Sequence, residues 1–272
     1  MNKLSLSAEK INVRKMNFSL TREMLQDYIK TDPIKAHFLN SLSVLFPAGE
    51  RFFIDSVKYF RDEIKDPELA ASVKKFIGQE TTHTNEHLLY NTLLQDCGYD
   101  VNAIYRRLDT RLEIVRSKVS EINQLAGTLG FEHYTAVLAD LFLLHRDILA
   151  KANPEFARLW YWHAMEELEH KAVAFDVFAN VHGGYLSRIT QMFVISVYFM
   201  IDLCLNMGYF LQKDGKLFHP LVLLQGIKFF WIYPAVIPRV MFSFLQYLLP
   251  GFHPWKKNNY HLVKELQEMI VS

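Results

Sequence analysis

Trp162-His163-Ala164-Met165-Glu166-Glu167-Leu168-Glu169-His170-Lys171 reads as one uninterrupted helical stretch. Ala, Met, Leu and Glu favour helix, and neither Gly nor Pro breaks the run. At about 100° per residue, His163, Glu167 and His170 fall within about 60° of one another, so three metal-capable groups share one stripe. Glu166 and Glu169 point elsewhere and are expected on a solvated or hydrogen-bonded face, as is Glu86. Trp160, Tyr161, Trp162, Ala172, Val173 and Phe175 frame the stretch with apolar bulk, which favours a buried helix over a charged surface one. Glu167-x-x-His170 has the i, i+3 spacing by which one helix offers a carboxylate and an imidazole to a carboxylate-bridged di-metal site.

A second copy of that spacing lies upstream, at Glu80-x-x-His83. Glu50 and Glu80 are 30 residues apart, and their midpoint falls at the turn signal Lys65-Asp66-Pro67-Glu68. Glu132 and Glu167 are 35 apart, and their midpoint falls beside the turn Ala150–Glu155. Residues equidistant from the turn of an antiparallel helical hairpin lie at the same height. Each Glu-x-x-His is therefore matched by a Glu on its hairpin partner, a coincidence much rarer than one such motif alone. Two hairpins joined by a long crossover over 95–125 predict an all-α, ferritin-like four-helix bundle with a di-metal site. The ligands expected from the residues are Glu50, Glu80, His83, Glu132, Glu167 and His170.

The remaining chain fits this reading. Half of the residues are hydrophobic and 14% aromatic, enough for a large core, while 11 Gly and 9 Pro in 272 residues favour helix. The net charge of +1 speaks against nucleic acid as a partner. Cys97 and Cys204 are far apart and read as free thiols of a reducing compartment. Met1–Lys15 lacks the apolar core of a signal peptide, so the expected location is the cytoplasm, with membrane association through the tail as an alternative. The expected organisation is an arm and first helix over 1–33, the bundle over 34–180 and an apolar helical extension over 181–272. Residues 1–20 read as strand or loop, Arg51–Ile64 as a helix, and Gly127 and Gly130 as loosening the helix that carries Glu132.

Phe46-Pro-Ala-Gly-Glu50-Arg-Phe-Phe53, Gln79-Glu80-x-x-His83-x-x-x-His87 and His163-x-x-x-Glu167-x-Glu-His170-Lys-Ala-Val-Ala-Phe-Asp176 resemble a bacterial family of predicted metal-dependent hydrolases, over most of residues 40–180. The ligand order is also similar to that of di-iron arylamine N-oxygenases. That resemblance implies His163 as a seventh ligand, which its place on the Glu167 stripe permits. One metal is then expected on Glu50, Glu80 and His83, the other on Glu132, His163, Glu167 and His170, with Glu80 and Glu167 as bridges. His87 is expected to support a ligand from behind, and Asp140 and Asp176 are candidates to hold ligand imidazoles. His133 is expected to pack. Ala136 and Ala139 would leave room for a substrate beside the metals.

Carboxylate and imidazole donors without thiolate suit two ions of iron or manganese, with zinc also compatible. The expected function is O₂-dependent oxidation of an apolar small molecule, with a separate electron donor as a candidate partner. The rival enzyme reading is two-metal hydrolysis of an ester or phosphoester, and the non-enzyme reading is iron binding or storage. Ile189–Leu211 and Leu221–Leu249 are apolar runs interrupted by Asp202, Asn206, Lys228 and Arg239. Packing on the bundle is expected first, then peripheral membrane contact, then a hydrophobic homodimer face.

Overall fold

Two antiparallel helical hairpins carry the candidate ligands in the computed structural model, which describes residues 6–271; every regular element among these is helical. α1 (Arg22–Thr31) and α2 (Pro33–Ser43) lead into the first hairpin, α3 (Phe46–Tyr59) with α4 (Pro67–Asp96). α5 (Val101–Lys118) crosses over to the second, α6 (Glu121–Leu144) with α7 (Pro154–His170). α8 (Val173–Asn180), α9 (Tyr185–Lys213), α10 (Pro220–Ile227), α11 (Val236–Tyr247) and α12 (Tyr260–Val271) follow.

The helix starts are written locally. α2, α4 and α7 each begin at a proline preceded by Asp32, Asp66 or Asn153, whose side chain accepts from a backbone amide of the first turn. α3 begins at Phe46, earlier than the periodicity from Arg51 indicates, because Pro47 is tolerated where the amide has no helical partner anyway. This early start puts Glu50 inside the helix. α6 runs unbroken through Gly127 and Gly130, which do not loosen it. Their bare backbone instead lies under α9, with Ile195 and Met192 closing over it.

α3 packs on α4 and α6, and α7 on α6, which makes the four-helix bundle. One apolar cluster gathers Tyr28, Leu42, Tyr90, Phe142, Phe156 and Trp160, and a second gathers Phe52, Phe76, Leu125, Leu129 and Val173. Along α4 and α7 the candidate ligands fall between these two dry clusters.

Among the described residues 6–21, the N-terminal arm has one short 3₁₀ turn, Ala8–Lys10, and is otherwise irregular rather than stranded; residues 1–5 of the expected strand or loop lie outside the described residues. It lies against α4 and α7. Its Asn12 amide donates to Glu169 (3.0 Å), and its Asn12 carbonyl accepts from Gln79 (2.9 Å). Val13 sits so close over Gly78 that an added Cβ would meet it at 2.8 Å.

α9 packs along α6 and α2, with Met192, Leu203, Met207 and Phe210 buried. The polar interruptions have partners on the crossover: Arg111 donates to Asp202 (2.9 Å) and Arg107 to Asn206 (2.6 Å). A π-helical turn at Lys228–Ile232, and Ala235 with φ of 62°, separate α10 from α11. Tyr185–Lys213 and Pro220–Tyr247 are long and apolar enough to cross a bilayer, yet only 28% and 22% of their most apolar windows are buried.

Candidate metal centre

Glu50 from α3, Glu80 and His83 from α4, Glu132 from α6, and His163, Glu167 and His170 from α7 converge on one space, and all seven are buried. His170 Nε2 lies 3.0 Å from Glu80 Oε1, 3.4 Å from Glu132 Oε2 and 3.5 Å from Glu167 Oε2. His163 Nε2 and His83 Nδ1 lie 3.0 and 3.6 Å from the other Glu167 oxygen, Oε1. The donors fall into three overlapping groups whose atoms lie within 4.8 Å of one another: Glu50, His83 and His163; Glu80, Glu132 and His170; and Glu80, His83 and Glu167. His163 therefore joins Glu50 and His83, not Glu132 and His170 as the shared stripe on α7 indicates. The His83 and His163 rings stack at 4.2 Å, and the His83 ring lies 5.9 Å from that of His170. Glu167 directs Oε1 toward His83 and His163 and Oε2 toward His170.

The fit to metal ions rests on atoms without partners. Glu50 Oε1, both oxygens of Glu80 and Glu132, Glu167 Oε2, His83 Nδ1, His163 Nε2 and His170 Nε2 are buried with no hydrogen-bond partner among the described residues. Unpartnered buried polar atoms are costly and rare, and their concentration here is what ligand positions require. The far nitrogen of each imidazole is occupied. His83 Nε2 meets Glu166 (3.2 Å), His163 Nδ1 meets His87 Nε2 (2.8 Å), and His170 Nδ1 meets Gln79 Oε1 (3.0 Å). Each outer contact fixes a tautomer in which the inner nitrogen keeps its lone pair. Thr84 likewise donates to Glu50 Oε2 (2.9 Å) and leaves Oε1 free.

Electrostatics lead to the same conclusion. Burial raises Glu50 and Glu132 well above the ordinary carboxylate range and pushes Glu80 up to about 7. Glu167 is also pushed up by burial, but His170 and His163 outweigh this and hold it low. Burial and the neighbouring His163 depress His83, whereas burial of His170 is outweighed by Glu167 and Glu132, which raise it. Four carboxylates packed in a dry site cannot all ionise unless positive charge sits among them. Two divalent ions supply charge of the required size and sign.

The outer layer departs from the sequence reading at Asp140 and Asp176. Of the two settings expected for Glu166 and Glu169, solvated or hydrogen-bonded, the structure shows the second, and both are buried. Arg14 of the arm donates to both, at 3.0 Å to Glu166 and 2.7 Å to Glu169, and Gln79 donates to Glu169 at 2.8 Å. Glu86, the third acid of that expectation, is half-buried. Asp140 and Asp176 do not hold ligand imidazoles. Asp140 accepts from Lys257 (2.6 Å) and Asn259 (2.8 Å), which ties down the segment before α12, while Asp176 pairs with His253 (3.1 Å). His87 sits behind His163 and is itself held by Ser43 (2.9 Å), whose hydroxyl donates to Asn91 (2.9 Å). His133 packs away from the centre, bonded to Ser243.

Arg14, Gln79, Glu166 and Glu169 are the positions that periodicity missed. Gln79 and Glu166 carry one signal in the sequence: each directly precedes a candidate ligand, Glu80 or Glu167. Arg14 carries none, because the arm has no repeat.

A narrow cleft opens on His163 and Glu167, lined by Leu42, Phe46, Leu138, Ala139, Phe142 and Trp160, with Thr135 and Ala164 completing the wall. Ala139 lines this cleft, and it shares an apolar cluster with Ala136 on the same helix. Among the described residues, no Lys or Arg lines the cleft.

No curated protein and no solved structure matches the chain. Residues 12–258 match a family profile, a span that takes in the arm, both hairpins and the apolar helices. The chain thus belongs to the family described as predicted metal-dependent hydrolase.

Proposed function

We propose that the seven buried donors hold two metal ions, iron in the first instance, and that the protein uses O₂ to oxidise an apolar small molecule. The observation that carries this reading is the joining of four carboxylates and three oriented imidazoles to a cleft walled by Leu, Phe, Ala and Trp. Iron bound by such donors supplies redox chemistry toward O₂ that no side chain has.

The chain's own residues have separate tasks. Glu167 faces His83 and His163 with one oxygen and His170 with the other, and Glu80 belongs to both groups that contain a second carboxylate, so these two residues would be the ones to hold both ions. Glu166, His87 and Gln79 keep the three rings turned so that their free nitrogens face inward. Phe46 stacks on His163 at 4.6 Å and, with Trp160 and Phe142, keeps water from the cleft.

The family description favours a second reading, hydrolysis of an ester or phosphoester with a two-metal-activated water. That reaction develops charge on a substrate oxygen, which preorganised donors normally stabilise. The absence of Lys and Arg from the cleft lining weighs against a charged substrate.

Activity of defined metal forms separates the two. The ferrous protein, prepared without oxygen, is expected to consume O₂ beyond the rate of free ferrous ion, and the zinc form to be inactive toward esters and phosphoesters. His163→Ala is expected to keep the helical fold and to slow O₂ consumption at least about tenfold, in line with loss of a metal-site contact. A zinc form that hydrolyses esters, beside a ferrous form inert to O₂, would establish hydrolysis instead.

A further inference from the structure

We infer that the exposed faces of α9, α10 and α11 form one docking surface for an anionic lipid bilayer, lying in the interface rather than crossing it. On α9, Leu186, Phe193, Val197, Ile201 and Leu205 recur at helical spacing and are all exposed. Beyond α9, Phe218 (82% exposed), Leu224 (62%), Trp231 (56%) and Phe242 (63%) continue the apolar surface. α11 lies beside α9, with Phe193 against Phe244 and Arg188 donating to the Tyr247 carbonyl (2.9 Å). A single exposed Leu needs no explanation, but a surface of this extent marks an interaction site.

Charge selects the occupant. The chain has 29 acidic residues, yet between 185 and 251 there are only Asp202 and Asp214. Both are turned inward, Asp202 to Arg111, and Asp214 to His37 and Tyr99. The exposed charges of this stretch, Lys213, Lys228 and Arg239, are all positive. From a neighbouring element the acid Asp147 touches the surface, accepting from Tyr233 (2.9 Å). Apolar and aromatic side chains with the basic Lys213, Lys228 and Arg239 beside them match the acyl boundary and headgroups of an anionic leaflet. A second copy of the same face would bring like charges together.

Packing selects the orientation. α9 lies along α6 and α2 with one side buried, so it cannot enter a bilayer end-on without drawing the bundle in with it. The break at Lys228–Ala235 further divides the second apolar stretch into two short helices. The surface also reaches the cleft: Phe142, which lines it, packs on Phe38, and Phe38 packs on Phe229 and Phe230 next to Trp231.

The test is flotation of the metal-loaded full-length protein with vesicles of phosphatidylcholine, with or without phosphatidylglycerol. The protein is expected to float with the mixed vesicles and less with phosphatidylcholine alone. Of the four tryptophans, only Trp231 is exposed, so brominated phospholipid is expected to quench its fluorescence on binding. Lys213→Glu with Lys228→Glu is expected to lower partition to the mixed vesicles at least about tenfold, given the contribution of each basic residue near a charged surface. Leu224→Asp with Trp231→Asp is expected to abolish flotation while helical content and bound metal stay unchanged. Should that variant misfold, the lysine pair and the quenching of the wild type still decide. Wild type that stays at the bottom of both gradients overturns the inference, as does a detergent-free dimer that Leu224→Asp with Trp231→Asp makes monomeric.

Discussion

Glu167 and the three imidazoles define the centre at the scale of single residues. The Oε1 of Glu167 faces His83 and His163 and its Oε2 faces His170, so Glu167→Ala removes a donor on both sides of the centre. Loss of at least one ion per chain is expected, and full metal content by elemental analysis would contradict the bridging role. Residues that only orient the rings behave differently. Gln79→Ala frees His170 Nδ1, and Glu166→Ala frees His83 Nε2. Each is expected to weaken metal binding about 10–100-fold in competition titrations while leaving stoichiometry intact at saturating metal. The sign of a third change depends on occupancy. Glu132→Gln removes one of several crowded buried carboxylates, so it is expected to raise the melting temperature of metal-free protein and lower that of the metal-loaded form. The donor positions were legible in the sequence because helical angle and hairpin height depend on spacing alone. The grouping of His163 was not, because it depends on how α4 is rotated against α7, and the stack of His83 on His163 fixes that.

Among the elements, the arm contributes most that its sequence conceals. A contact such as Arg14 with Glu166 spans 152 residues and follows no period. The arm is held by side-chain bonds from Gln79, Lys75 and Glu68 and by the close fit of Val13 over Gly78. In a free helix, Gly→Ala is stabilising by about 1 kcal/mol. Here Gly78→Ala meets Val13 at 2.8 Å, so it is expected to lift the arm, withdraw Arg14 and weaken metal binding. Limited proteolysis within the first 20 residues reads this directly, and an arm as protected as in wild type would contradict it. The helices were legible to within a few residues, since proline and cap residues mark their starts. The misreadings came from tertiary packing: Gly127 and Gly130 look like weak points of α6 until α9 is laid over them.

For the whole molecule, pH dependence comes partly from a site remote from the metals. His37 is buried and paired with Asp214, which also accepts from Tyr99. Burial lowers His37 below its ordinary value despite that partner. Burial pushes Asp214 up, but its bonds from His37 and Tyr99 outweigh this and hold it low. Both folded values lie below their unfolded ones, so both contributions are complete above about pH 6.5 and are lost as pH falls. Melting temperature is therefore expected to drop on acidification below that point, and to drop less steeply in His37→Gln. An equal slope in the two proteins would remove His37 from the account. The apolar third of the chain was legible as apolar. Which of its faces is exposed was not, because that depends on the polar anchors Asp202 and Asn206 finding Arg111 and Arg107 on the crossover.

The central claim is that two metal ions sit among Glu50, Glu80, His83, Glu132, His163, Glu167 and His170. Titration of metal-free protein with ferrous ion under anaerobic conditions, read by elemental analysis after removal of free metal, tests it most directly. The predicted result is two ions per chain in the wild type and at most one in both Glu80→Ala and Glu167→Ala. One ion or none in the wild type, or two in either variant, would contradict the account.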